Sequence, residues 1–194
     1  MDLVIRAERA VIDGQLRPAA VAVADGVILA VGPIGADYPA AEQIRLAGTA
    51  VLMPGLVDTH VHINEPGTDW EGFATATAAA AAAGITTLVD MPLDSDPVTT
   101  TVDALRRKRA AARGNCQVDV AFWGGVVPGN LGELGDLAAA GVRGFTRGCM
   151  FTWCGSLSAL RRLHGAQDAT MFSHTDSPPR LRGITWSTVR PDAW

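Results

Sequence analysis

Lysine is almost missing. Lys108 is the only one in 194 residues, and the net charge of −4 leaves no basic surplus. Binding to nucleic acid or to an anionic membrane surface would want a basic face, so neither partner is expected. Cysteine is scarce as well: Cys116, Cys149 and Cys154 are an odd, sparse set that implies no disulfide framework. No run of about 18 strongly apolar residues occurs, so no membrane-spanning helix is expected. The opening MDLVIRAERAV lacks the basic segment and apolar core of a secretion signal, which makes a cytoplasmic location the expectation. What remains is an ordinary soluble balance, 48% hydrophobic and 19% charged. The length suits one buried domain, alone or with a small accessory unit.

Three compositional zones follow one another. Residues 1–50 carry short β-rich runs (Leu3 to Ile5, Val21 to Val23, Val27 to Val31) separated by Asp13-Gly14 and Asp25-Gly26. Those dipeptides favour tight hairpins, so a small β-rich subdomain is predicted. Residues 51–145 change to a rhythm of strand, loop and helix. Helices are predicted over 69–83, 101–113 and 130–140, with strands ending near His62, at 85–91, at 118–123 and from 142. Strands alternating with helices of this length predict a parallel α/β arrangement with right-handed crossovers. The run Arg106-Arg107-Lys108-Arg109 is expected to lie on a solvated helix face. Residues 146–194 are written differently: valine occurs seventeen times before 146 and once after it, and the charge balance turns from −7 to +3.

The stretch with the most chemistry is VLMPGLVDTHVHINEPG, residues 51–67. An apolar run ending in Asp58-Thr59-His60-Val61-His62 predicts a strand that delivers polar side chains at its carboxyl end. Side chains alternate along a strand, so His60 and His62 share a face with Cα atoms about 6.5 to 7 Å apart. Two neutral imidazoles there can converge on one metal ion. The alternative is two histidines hydrogen-bonded in a polar strand end.

PGLVDTHVHINEPG followed by TDWEGFATATAAAAAAGITTLVDMPLDS resembles the cyclic amidohydrolases, the group of dihydroorotase, hydantoinase and allantoinase, with the allantoinase branch nearest. The motif-level resemblance covers about residues 1–145. It implies the first βα units of a TIM barrel, here incomplete, preceded by part of a β-sandwich. Active sites of such barrels sit at the carboxyl ends of the strands, where His60, His62, Asn64, Asp90 and Asp94 fall. It further implies hydrolysis of a ring amide, allantoin to allantoate, by a hydroxide shared between two zinc ions. Other hydantoins or dihydropyrimidines are alternative substrates, and family members are usually homo-oligomers. His60 and His62 would hold the first ion. Asp58 would orient an imidazole or cap the strand. Asn64 stands where dihydroorotase has an arginine for its substrate's carboxylate, which favours an uncharged ring.

Two departures stand against that chemistry. Asp94 replaces the asparagine that the family uses to touch substrate, leaving either a ligand contact or a loop role. Gly144-Phe145-Thr146 stands where the family carries the lysine that bridges the two ions, and no catalytic residue is identifiable. At most one weakly held ion is therefore expected, and a catalytically inactive or binding-only fragment is the alternative function. In residues 146–194 the set Cys149, Cys154, His164 and His174 fits no compact zinc pattern, and residues 177–183 predict a loop. The tail is expected to be irregular, and its abrupt change of composition is what an out-of-frame continuation would produce.

Overall fold

The computed structural model describes residues 1–147 and 170–172. It divides into two compact units, Met1–Leu56 and a second that begins at Val57.

In the first unit, β1 (Leu3–Ile12), β2 (Gln15–Ala24), β3 (Val27–Gly32) and β4 (Glu42–Arg45) form one sheet in the order β3-β2-β1-β4. The predicted hairpins are there. Asp13 and Gly14 have φ of 52° and 74°, Asp25 and Gly26 of 51° and 73°. Two successive left-handed residues match the right-handed twist of the strands that they join. The strands run longer than the apolar triplets suggested, and β4, which pairs parallel with β1, was not foreseen. Its sequence Glu-Gln-Ile-Arg is exposed throughout and has no alternating pattern to read. Beneath the sheet Val4, Ala20 and Ala22 pack together, and Ala7, Ala10 and Ala19 form a second small cluster.

The second unit has the strand and helix alternation of a mixed α/β fold. The histidine strand β5 (Leu56–Val61) lies beside β6 (Ile85–Asp90), which pairs parallel with β7 (Asp119–Phe122). A second sheet holds β8 (Gly124–Val126), β9 (Gly144–Arg147) and β10 (Thr170–Phe172), with β9 parallel to both of the others. Trp123 alone separates β7 from β8. Gly124 and Gly125 lie beyond the strand expected at 118–123. They pair with Phe145 and Thr146 of β9, and side chains lie close over their bare backbone: a Cβ on Gly124 would sit 2.7 Å from the Phe145 ring, and one on Gly125 would sit 3.1 Å from Thr100. β10 falls inside the segment expected to be irregular. Cys149, Cys154, His164, His174 and residues 177–183 lie outside the described residues.

Three helices follow their strands. α1 (Phe73–Ala82) starts later than its acidic prelude predicted. Asp69 and Glu71 precede it; the backbone N–H of Phe73 instead donates to Glu65 Oε2 at 2.7 Å, a carboxylate from the loop after β5. α2 (Val102–Ala112) is capped by Thr101, whose side chain accepts from Ala104 N. α3 (Leu134–Ala139) is entered through a short 3-10 turn at Leu131–Glu133. Phe73 and Leu105, with Leu134 and Leu137, are fully buried against Leu88, Val120 and Phe122.

The basic run on α2 is not a uniformly solvated face. Arg106 and Arg107 are exposed, but Lys108 is 1% exposed. Its Nζ lies 2.6 Å from Asp90 Oδ2 and donates to Met91 O at 2.7 Å. The expectation of a solvated face is corrected at this lysine: its ammonium reaches the carboxyl end of β6.

Candidate metal-binding site

β5 exposes its polar tip. His60 and His62 are both solvent-accessible, with ring centroids 5.3 Å apart and ring planes tilted by 53°. Alternation along the strand puts them on one face, and Val61 is turned away into the apolar core. Asp58 Oδ1 accepts from His60 N at 3.0 Å, closing a local turn of the carboxylate onto its own strand. Through this bond Asp58 helps to fix the backbone that carries His60. Asp94 reaches the histidines directly, with Oδ2 3.1 Å from His62 Nδ1. A carboxylate on Nδ1 favours the tautomer whose Nε2 carries the free lone pair. Sequence reasoning weighed Asp94 as a ligand contact or a loop residue and missed this pairing, which depends on two loops meeting.

Asn64 and Asp94 share an unusual backbone, each with φ of 64°. Asn64 is buried, and its Oδ1 has no hydrogen-bond partner among the described residues. Leaving a buried carbonyl unpaired costs about 1–3 kcal/mol, and such an atom is available to a ligand. It lines a cleft of about 550 Å³ with Trp70, Glu71 and Thr75. A cavity of about 640 Å³ beside α2 and β7 shares none of these residues. Volume alone does not mark the site.

Beneath the histidines lies a buried polar cluster that the sequence did not announce. Asp90 Oδ1 accepts from Ile63 N at 2.8 Å while its Oδ2 meets Lys108. Burial pushes the Asp90 carboxyl above its ordinary range, against the pull of the Lys108 ammonium and the Ile63 N–H. Trp123, between β7 and β8, donates through Nε1 to Thr59 O at 2.8 Å.

Among the described residues, no three or more His, Cys, Asp or Glu side chains are placed to hold one ion. The two imidazoles fit as a pair of ligands. They do not make the three that a catalytic zinc usually keeps, and the donor set does not fit a two-ion centre. Thr146, at the place of the family's bridging lysine, is buried and offers only a hydroxyl.

The model of the amidohydrolase family matches residues 51–155. An allantoinase of Streptomyces avermitilis is 57% identical over 146 residues, 75% of this chain and 33% of the relative. An allantoinase of Rubrobacter xylanophilus is 44% identical over 181 residues, 93% of this chain and 38% of the relative. The second alignment runs on past residue 145, where the motif-level resemblance ends. Among solved structures, the L-hydantoinase (dihydropyrimidinase) from Arthrobacter aurescens superposes with a TM-score of 0.75 at 32% identity, covering 89% of this chain and 40% of that one. The chain thus spans about a third of the length of the curated relatives it matches.

Proposed function

The chain belongs to the amidohydrolase family, and from that premise we propose that it carries the amino-terminal part of an allantoinase-type site, on the first units of an incomplete TIM barrel. The reaction of the full site is hydrolysis of the ring amide of allantoin to allantoate. The observation that carries the reading is the His60–His62 pair: two exposed imidazoles with ring centroids 5.3 Å apart at the tip of a strand, followed at Asn64 by a buried oxygen without a partner among the described residues. Similarity to allantoinases on either side of that tip supports it.

Family members are generally metal-dependent, and a bound ion supplies the polarisation of the carbonyl and the activation of water that an amide needs at neutral pH. His60 and His62 would be the residues of this chain that hold it. Asp94 would keep the His62 ring aimed through Nδ1, and Asn64 would meet the ring substrate. With two ligands in place and Thr146 in the lysine position, zinc binding is weak and turnover strongly impaired.

A second reading, a fragment that binds without turning over, is favoured by that same threonine. One pair of measurements separates the two. Allantoate formation with added zinc or manganese, abolished by His60→Ala, supports the impaired enzyme; zinc binding without any turnover supports the binding-only fragment. Zinc affinity unchanged in His60→Ala overturns both.

A further inference from the structure

The histidine strand pairs with β6 but is thinly packed. In β5 only Asp58 and Val61 are even half-buried. Packing therefore does little to fix where the His60 and His62 rings point, and long exposed imidazoles would have to be ordered each time they gripped a ligand. Besides its pairing with β6, three hydrogen bonds fix the backbone around the two histidines. Thr59 O accepts from Trp123 Nε1 at 2.8 Å, Val61 O from Met91 N at 2.8 Å, and Ile63 N donates to Asp90 Oδ1 at 2.8 Å. The anchored residues are 59, 61 and 63; the histidines are 60 and 62. The middle anchor is backbone to backbone, whereas the outer two are side chains that the sequence had to supply.

We propose that Asp90 and Trp123 are positioning residues that bracket the His60–His62 pair and set its aim, with Lys108 locking Asp90 from α2. The inference rests on the reading of that pair as a metal-binding element. Lys108 Nζ meets both Asp90 Oδ2, at 2.6 Å, and Met91 O, at 2.7 Å, so one ammonium ties the helix to the two residues whose other groups hold Ile63 and Val61. The bracket is also closed on itself, because Trp123 N donates to Asp90 O at 3.0 Å. A buried ion pair is a poor source of stability, since hydrocarbon of the same size generally serves as well or better. What it offers here is direction: a carboxylate held on one oxygen presents the other to a single backbone N–H. Groups that orient a metal ligand from outside the coordination sphere typically change metal affinity about 10- to 100-fold when removed.

The test is a titration of the full chain with cobalt(II) alone, followed by its visible absorption, alongside thermal melts. Trp123→Phe keeps an aromatic ring and loses the donor. The double variant Asp90→Leu/Lys108→Met replaces the ion pair with hydrocarbon and leaves no orphaned charge, so it is expected to fold. Each should bind cobalt about 10-fold more weakly. Leu137→Ala, a core change on α3, should lower the melting temperature at least as much and leave the cobalt affinity within about two-fold, which a purely structural role for the bracket does not predict. Cobalt binding that disappears in His60→Ala yet is unchanged in Trp123→Phe and in the double variant overturns the inference alone. Cobalt binding indifferent to His60→Ala overturns it together with the metal reading.

Discussion

Replacing Lys108 by methionine removes an ammonium of nearly the same length and leaves Asp90 behind, 1% exposed and without its counter-charge. Breaking a buried pair by deleting one partner typically costs about 3–5 kcal/mol. A solvated helix position, the role first expected of this residue, costs about 0.5 kcal/mol or less. With a urea slope of about 2 kcal/mol per molar, the buried case shifts the unfolding midpoint down by about 1.5 to 2.5 M. The deficit also depends on pH, with a definite sign. Burial already holds the Asp90 carboxyl above its ordinary range, and losing the ammonium raises it further. A carboxyl raised in the fold takes up its proton there before it does in the unfolded chain, so its stabilising contribution is present in acid and lost as pH rises through the raised value. The gap between Lys108→Met and the parent should therefore be widest at pH 7 and narrow steadily towards pH 5, read from urea curves by far-ultraviolet circular dichroism. A deficit under about 1 kcal/mol at pH 7, or one that is flat with pH, would refute the account of a buried, charge-compensated Asp90.

Two further expectations rest on other parts of the second unit. Asn130 accepts from Val127 N and donates to Thr100 O and Gly125 O; at about 0.5–1.5 kcal/mol per bond, Asn130→Ala should lose about 1.5–4.5 kcal/mol in the same urea assay. The Cys116 thiol is pushed up by burial, with the Glu65 carboxylate adding to the shift. Its alkylation by iodoacetamide near pH 8.5, followed at the Cys116 peptide by mass spectrometry, should therefore be several-fold slower in the folded chain than in urea, and equal rates would refute it. By the same sign as above, this thiol favours the fold below its ordinary titration range and ceases to as pH climbs past the raised value.

The parts of this architecture that were legible in the sequence are those governed by local rules. Asp13-Gly14 and Asp25-Gly26 announced their turns because few residues tolerate a left-handed backbone, and the strand and helix alternation after residue 51 followed from periodicity. The histidines were legible as a pair because alternation is a property of any strand. Lys108 could have been placed by the helical period: Ala104, Leu105, Lys108 and Ala112 line one buried face, but the flanking arginines hid it within a charged run. Glu65 capping α1, Asp94 on His62 and Trp123 on Thr59 were not legible, because each joins residues whose proximity is set only when separate loops or strands are brought together. The identity of β8 was obscured for a related reason, since its glycines have no side chains from which a pattern could be read.

That last strand ties two distant positions into a single heritable unit. Because the Phe145 ring fills the room that a side chain on Gly124 would take, position 124 cannot gain one alone: an alanine there calls for a slimmer residue at 145, such as leucine. Related sequences should show the two exchanging in concert.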